Sequence, residues 1–158
     1  MRFTTRKVGR DITSEDAQEF LQTEVIDRIG KCLEAFENIR HNVSDGHTIV
    51  EARTADRLCG VAVYRLQENA LYLEALCSDC SGTGSALIRE LIEHTRKAGK
   101  SSIRLVSLES AVPFYEDKGF KTVNASTREM KFDLPNLGGR RKTYRVRKQK
   151  RRYSRKTK

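Results

Sequence analysis

Three short stretches of this 158-residue chain hold residue types that could do chemistry. AVPFYEDKGF, residues 111–120, places Tyr115 beside Phe114 and ends on Gly119 and Phe120. Tyrosine is a weak acid of ordinary pKa near about 10, so a fixed tyrosine can hand a proton to a basic leaving group. SGTGS, residues 81–85, carries Gly82 and Gly84 just ahead of an apolar-periodic run. The two glycines let backbone approach a ligand, and the helix start behind them supplies free N–H groups and a positive dipole end. No acid lies between Ser81 and Arg89, which suits a phosphate-bearing ligand. A tight structural turn reads the same way, and both readings stand at this point. A dinucleotide turn would need a glycine where Leu87 stands, and a P-loop would need a lysine followed by Ser or Thr where Ser85 and Ala86 stand. LYLEALC, residues 71–77, sets Glu74 among apolar neighbours. A carboxylate with an apolar side has a raised pKa and suits a general base, while a solvated strand glutamate is the equal alternative. Glu51 and Glu109 are the fallbacks.

Other polar candidates are weaker. Cys77 and Cys80 have CxxC spacing, but no second pair completes a zinc site and His94 falls on a helix, so no metal is expected. Cys77 reads as a small apolar strand end. His41 and His47 lie in the polar loop HNVSDGH and read as solvated. The opening MRFTTRKVGRD lacks the apolar core of a secretory signal, and no apolar run approaches the roughly 20 residues of a membrane span. The expected place is therefore inside the cell, cytoplasmic or nuclear. The four cysteines, Cys32, Cys59, Cys77 and Cys80, are expected as reduced thiols.

These residues need elements to hold them. Residues 2–8 alternate weakly and suit an edge strand. Thr13 followed by Asp16 is helix N-cap material, and apolar residues from Ala17 to Phe36 recur near the helical period, with Gly30 as a break. Strands over 48–52, 58–66 and 70–77 are separated by short polar turns and read as antiparallel neighbours. Leu87, Ile88, Leu91 and Ile92 line one face of the next helix, which Gly99 stops. A strand at 102–108 follows by a right-handed crossover. In the tyrosine stretch, Ser110 caps a short helix with Pro113 in its first turn, Gly119 ends it in a left-handed conformation, and Phe120 packs back on Phe114 or Tyr115. Two last strands close the order β, α, α, β, β, β, α, β, α, β, β. The fold class is α/β: a mixed, mostly antiparallel sheet flanked by helices, with a disordered basic C-terminal tail.

The glycine turn and the tyrosine stretch together resemble the GCN5-related N-acetyltransferase (GNAT) family. Gly82 and Gly84 match the small positions of its Gln/Arg-x-x-Gly-x-Gly/Ala turn. Ala111, Phe114, Tyr115, Gly119 and Phe120 match its Ala-x-x-Phe-Tyr-x-x-x-Gly-Phe signature. The resemblance covers residues 71–123 by motif and 2–134 by element order. It implies acetyl-CoA as co-substrate, bound along Leu76, Cys77, Ser78, Ser81, Gly82, Thr83, Gly84 and Ser85. It also implies that Tyr115 protonates the departing thiolate and that a strand glutamate, here Glu74, takes a proton from the amine acceptor. The transfer from tyrosine to thiolate is uphill by roughly 2 kcal/mol before tuning. Two positions depart from the pattern. Asp79 stands where Gln or Arg is usual, placing an acid near the phosphates, and Leu108 stands where asparagine is frequent.

Charge divides the chain. Residues 136–158 hold 12 of the 31 Lys+Arg and no acid, leaving residues 1–135 with 19 basic against 21 acidic residues. The expected domains are an acetyltransferase-like body at 1–135 and a Lys/Arg-rich tail at 136–158. Such a tail cannot fold alone and suits contact with nucleic acid through residues 140–158, nuclear import or solubility. The runner-up reading is a nucleic-acid-binding protein whose acetyltransferase-like body is inactive.

Overall fold

The computed structural model describes residues 1–135; the basic stretch 136–158 and the expectation of a disordered tail lie outside the described residues. Seven strands form one sheet in the order β1-β2-β3-β4-β5-β7-β6. They are β1 (Arg2–Lys7), β2 (His47–Arg53), β3 (Leu58–Leu66), β4 (Ala70–Ser78), β5 (Ser102–Val106), β6 (Lys121–Asn124) and β7 (Glu129–Asp133). Short turns make β2, β3 and β4 antiparallel neighbours as their spacing predicts. The helix α4 (Thr83–Lys97) carries the chain across to β5, which pairs with β4 as the one parallel pair of the sheet among the described residues.

Alternation along the strands divides the core between the two sheet faces. Val61 and Val63 of β3 pack with α1 (Ser14–Phe20), α2 (Leu33–Phe36) and α3 (Ile39–Asn42) through Ala17, Phe20, Phe36 and Ile39. Ala62 and Tyr64 pack with α4 and α5 (Val112–Asp117) through Leu87, Leu91 and Tyr115. Thr13 caps α1 by accepting the Asp16 N–H at 3.0 Å, as expected. The long helical run breaks near Gly30: a π-helical turn (Leu21–Ile26) and a 3-10 turn (Gly30–Cys32) separate α1 from α2. Gly60 of β3 makes room for the start of α4, since a Cβ there would lie 2.9 Å from Thr83 Cγ2 and 3.0 Å from the Cys77 carbonyl oxygen.

Two expectations are corrected. Ser110 does not cap the tyrosine helix; a 3-10 turn (Glu109–Ala111) leads into α5, with Ala111 as its N-cap. The cysteines are not free thiols. Cys32 is bonded to Cys77 and Cys59 to Cys80, so each half of the CxxC pair is tied to a different element. Spacing along the chain could not reveal this, because the 3-10 turn and β3 are brought beside the end of β4 only by the packed sheet. Disulfides persist in oxidising surroundings and are rare in an ordinary cytosol, so this pairing does not speak for the expected intracellular place. No helix among the described residues is long and apolar enough to cross a membrane.

Candidate active site

The centre of the site is a gap between β4 and β5. The two strands pair from Ala70–Ser102 to Leu73–Leu105 and then part. A bulge in β4 lies at the parting. Val63 of β3 faces Ala75 and Tyr64 faces Leu73, so Glu74 is the extra residue of the bulged strand. The bulge turns Glu74 out of the strict alternation of its neighbours. Behind it, Leu71 and Leu73 face the α4 side, while Ala75 and Cys77 face the α1–α3 side.

Into this gap opens a cleft of about 380 Å³. Glu74, Leu76 and Tyr115 line it, together with His47, Ser107 and Arg128, and with Glu34, Asn38 and Asn42 of α2, α3 and their connection. Two sequence candidates for chemistry, Glu74 and Tyr115, therefore share one cleft although 41 positions separate them in the sequence.

Tyr115 is held by rings. Phe114 and Phe120 meet it edge-on at centroid distances of 5.2 and 5.4 Å, and Gly119, at φ 98°, makes the left-handed turn that returns Phe120. The ring is buried with 7% of its surface exposed, and no hydrogen-bond partner occupies the hydroxyl among the described residues. Burial pushes the phenol well above its ordinary value, so it stays protonated throughout the working pH range.

Glu74 differs from its expectation. Its Oε2 accepts a 2.6 Å bond from Arg65 Nε and lies 3.3 Å from His47 Nε2. These partners, His47 first, hold the carboxyl below the usual range against the opposing effect of burial. The raised pKa expected from apolar strand neighbours is therefore corrected. Two of those neighbours point to opposite faces, while the polar partners arrive from β2 and β3. His47 is corrected as well: it is 8% exposed, the first residue of β2, and not solvated. Its Nδ1 lies 3.1 Å from the Ser44 N and 3.2 Å from the Ser44 carbonyl oxygen, which fixes the ring with Nε2 toward Glu74. Its place at the edge of a polar loop gave no signal of this partner. Of the fallback bases, Glu51 is buried between Arg6 (2.5 Å) and Arg53 (2.9 Å), and Glu109 lies in the 3-10 turn before α5; neither lines the cleft. His41 is exposed on α3.

The glycine turn lies at the far end of β4. Gly82 is the N-cap of α4 at φ 81°, a left-handed conformation that glycine takes without strain. The N–H groups of Gly82, Gly84 and Ser85 find no backbone acceptor among the described residues. The N–H of Thr83 is used by the Cys80 carbonyl at 3.1 Å, and the Thr83 side chain is fully buried with its Oγ1 unpartnered. Thr83 thus supports the turn from below rather than from the ligand side. Gly84 is needed for contact: a Cβ there would lie 3.1 Å from Phe114 Cζ and 3.3 Å from Ser78 Oγ. The two motifs touch at this point. Asp79 is turned into an ion pair with Arg57 and lies 3.6 Å from Lys31 Nζ, while its N–H bonds the Cys59 carbonyl. Its charge is thus matched by cations of the chain itself. Cys77 is packed against the α1–α3 side and bonded to Cys32, so only its backbone is left for a ligand.

Free amides at a left-handed turn, a helix start without acid and an open strand gap fit the pyrophosphate and extended arm of acetyl-CoA. Gly82, Gly84 and Ser85 would hold the phosphates, and Leu76 and the end of β4 the arm.

The comparisons agree with this geometry. The acetyltransferase (GNAT) domain family matches residues 9–134. No curated protein matches the chain in sequence. Among solved structures, Tetrahymena GCN5 superposes with a TM-score of 0.65 at 11% identity, covering 85% of this chain and 97% of that one. An aminoglycoside 6'-acetyltransferase type Ii superposes at 0.56 with 19% identity, covering 86% and 99%. The ribosomal-protein-S18-alanine N-acetyltransferase of Escherichia coli superposes at 0.55 with 15% identity, covering 87% and 97%. At such identities structural likeness carries the fold alone, and the family rests on the match over residues 9–134: the chain belongs to the GNAT acetyltransferases.

Proposed function

We propose that this acetyltransferase moves the acetyl group of acetyl-CoA to an amine by direct attack, in the cleft between β4 and β5. Acetyl-CoA is the donor in this family and supplies an activated thioester carbonyl. The observation that carries the reading is the meeting of Glu74, at the bulge, with the unpartnered hydroxyl of Tyr115 across one cleft.

Tyr115 gives its proton to the departing thiolate. In water the transfer is uphill by roughly 2 kcal/mol, and burial of the phenol adds to that. The same surroundings desolvate the thiolate and make it more basic, which offsets the added cost.

Glu74 acts here by charge and position. Taking a proton from an α-amine of pKa about 7.7–8.0 onto a carboxylate at or below about 4.3 costs at least roughly 4.6 kcal/mol. Losing that proton to water at pH 7 costs about 1 kcal/mol. A depressed carboxyl is therefore a poor base and a good anchor for an ammonium. The attacking amine is freed through solvent, and the general-base role expected from the sequence gives way to electrostatic positioning. His47 and Arg65 fix the carboxylate by their N–H bonds.

The basic stretch 140–158 serves polyanion contact, and the domain division at 135 follows the same change in charge. The alternative of an inactive body rested on Asp79 facing the phosphates. Its pairing with Arg57 and Lys31 removes that motive. An acceptor panel of small amines, polyamines, lysine peptides and free-N-terminal peptides, assayed by thiol release, tests the reading. Acetyl-CoA binding without turnover of any of these would overturn it.

A further inference from the structure

The cleft carries charge of both signs, on different walls. Glu74 lies on the β4 wall, and Glu34 belongs to α2. Arg128 faces the same cleft from the turn between β6 and β7, beside the end of β5. None of residues 78–85 lines this volume, so it is the half of the site that the glycine turn does not own.

Arg128 is built into place. Its Nε donates to the Ser107 carbonyl at 3.0 Å, and the Ser107 N–H donates back to the Arg128 carbonyl at 3.0 Å. Ser107 is itself buried at 3% exposure. Arg128 is exposed at the cleft rim, its guanidinium is tethered there by Nε, and its Nη groups have no carboxylate partner among the described residues. The arginines nearest in role are otherwise occupied: Arg65 on Glu74, Arg57 on Asp79, Arg104 on Glu129. Arg128 is also the only non-glycine residue with positive φ among the described residues, at 61°. The turn before it is closed by Asn124, whose Oδ1 accepts the N–H groups of Ser126 and Thr127. Glycine or asparagine would take that left-handed position with less strain.

We propose that Arg128 is a specificity residue that selects an amine bearing a carboxylate. Resting on the transferase reading above, the inference names its substrate class: a zwitterionic acceptor, ammonium toward Glu74 and carboxylate toward the guanidinium fork. A planar fork with free Nη donors takes a carboxylate in two parallel bonds, which a purely cationic polyamine cannot offer and would oppose by charge.

The test uses the full chain and short glycine peptides of graded length, each with a free or an amidated C-terminus. The α-amine stays the same class within a pair, and only the carboxylate changes. The parent is expected to favour the free acid of the fitting length by roughly 10- to 100-fold in kcat/KM. In Arg128→Gln that ratio falls to near one, carried by KM, and Arg128→Lys recovers part of it. Calorimetry with coenzyme A and a thermal melt accompany each variant. A ratio that is the same in parent and Arg128→Gln overturns the inference, because a merely structural role would slow both members of the pair alike. Preference for the amide overturns it too. If coenzyme A binds and no peptide of either kind is acetylated while a polyamine is, the transferase reading survives and this inference falls. If no amine is acetylated, both fall.

Discussion

Reducing the disulfides should cost both stability and grip on acetyl-CoA. The Cys32–Cys77 bond spans 45 positions and the Cys59–Cys80 bond 21. By loop-closure entropy these correspond to about 4 and about 3 kcal/mol at 25 °C. The two loops overlap in sequence, so the values do not simply add. For the 135 described residues, an unfolding entropy of about 2.1 cal/mol/K per residue gives about 0.28 kcal/mol/K. Loss of the longer bond alone then lowers Tm by about 14 °C. Both bonds also anchor the chain just ahead of the glycine turn. Cys77 is the last residue but one of β4 and Cys80 lies two residues before Gly82, so their release leaves the backbone between them to be ordered by the ligand. Each newly loose residue costs about 1–2 kcal/mol on binding, roughly a factor of 5–30 in affinity. The assay is a pair of melts with and without reductant, joined to calorimetry with acetyl-CoA, on the parent and on Cys32→Ala/Cys77→Ala. The variant should respond less to reductant than the parent does. Four reactive thiols in denaturant without reductant, with melt and affinity indifferent to reductant, would refute the reasoning.

Tyr115→Phe keeps the packed ring and deletes the proton; turnover should fall about 10²- to 10⁴-fold with acetyl-CoA affinity little changed, and parental turnover with chemistry rate-limiting would end the acid assignment. Glu74→Gln should raise KM for the amine while the acid limb of the pH–rate profile, set by the amine, stays where it was; a limb that moves up toward the free amine's pKa in the variant would make Glu74 the base after all. The same variant has a stability signature. A depressed carboxyl stabilises the fold above its unfolded pKa near about 4.3 and loses that contribution as pH falls through its lower folded value, so urea midpoints of Glu74→Gln should vary less with pH in that acid window than those of the parent. Removing residues 136–158 should abolish nucleic-acid binding whose log affinity falls with log salt at about −0.9 per duplex phosphate neutralised; equal binding by both forms across a salt series would put the contact on the body.

Much of the local structure around the candidate site was legible in the sequence because its signals are local. The left-handed turn at Gly119 and the Thr13 cap each depend on a few consecutive residues, and the structure has them as expected. The helical face of Leu87, Ile88 and Leu91 is buried, since period alone decides which side of α4 meets the sheet. The spacing of Ala111 to Phe120 placed Tyr115 on a short helix held by its own aromatic neighbours. What the tertiary structure decided are the properties that depend on distant segments coming together. The carboxyl of Glu74 is held down by His47 and Arg65, which reach it only because β2, β3 and β4 lie side by side and β4 bulges. Asp79 is paired because a turn 22 positions away brings Arg57 to it. The cysteines pair across elements, against the local CxxC reading. Gly84 leaves room for the close approach of Phe114, and Arg128 lines the cleft from a turn that no motif marks. A pKa, an ion pair and a disulfide are set by the distance between groups in space, and a single sequence specifies that distance only through the fold.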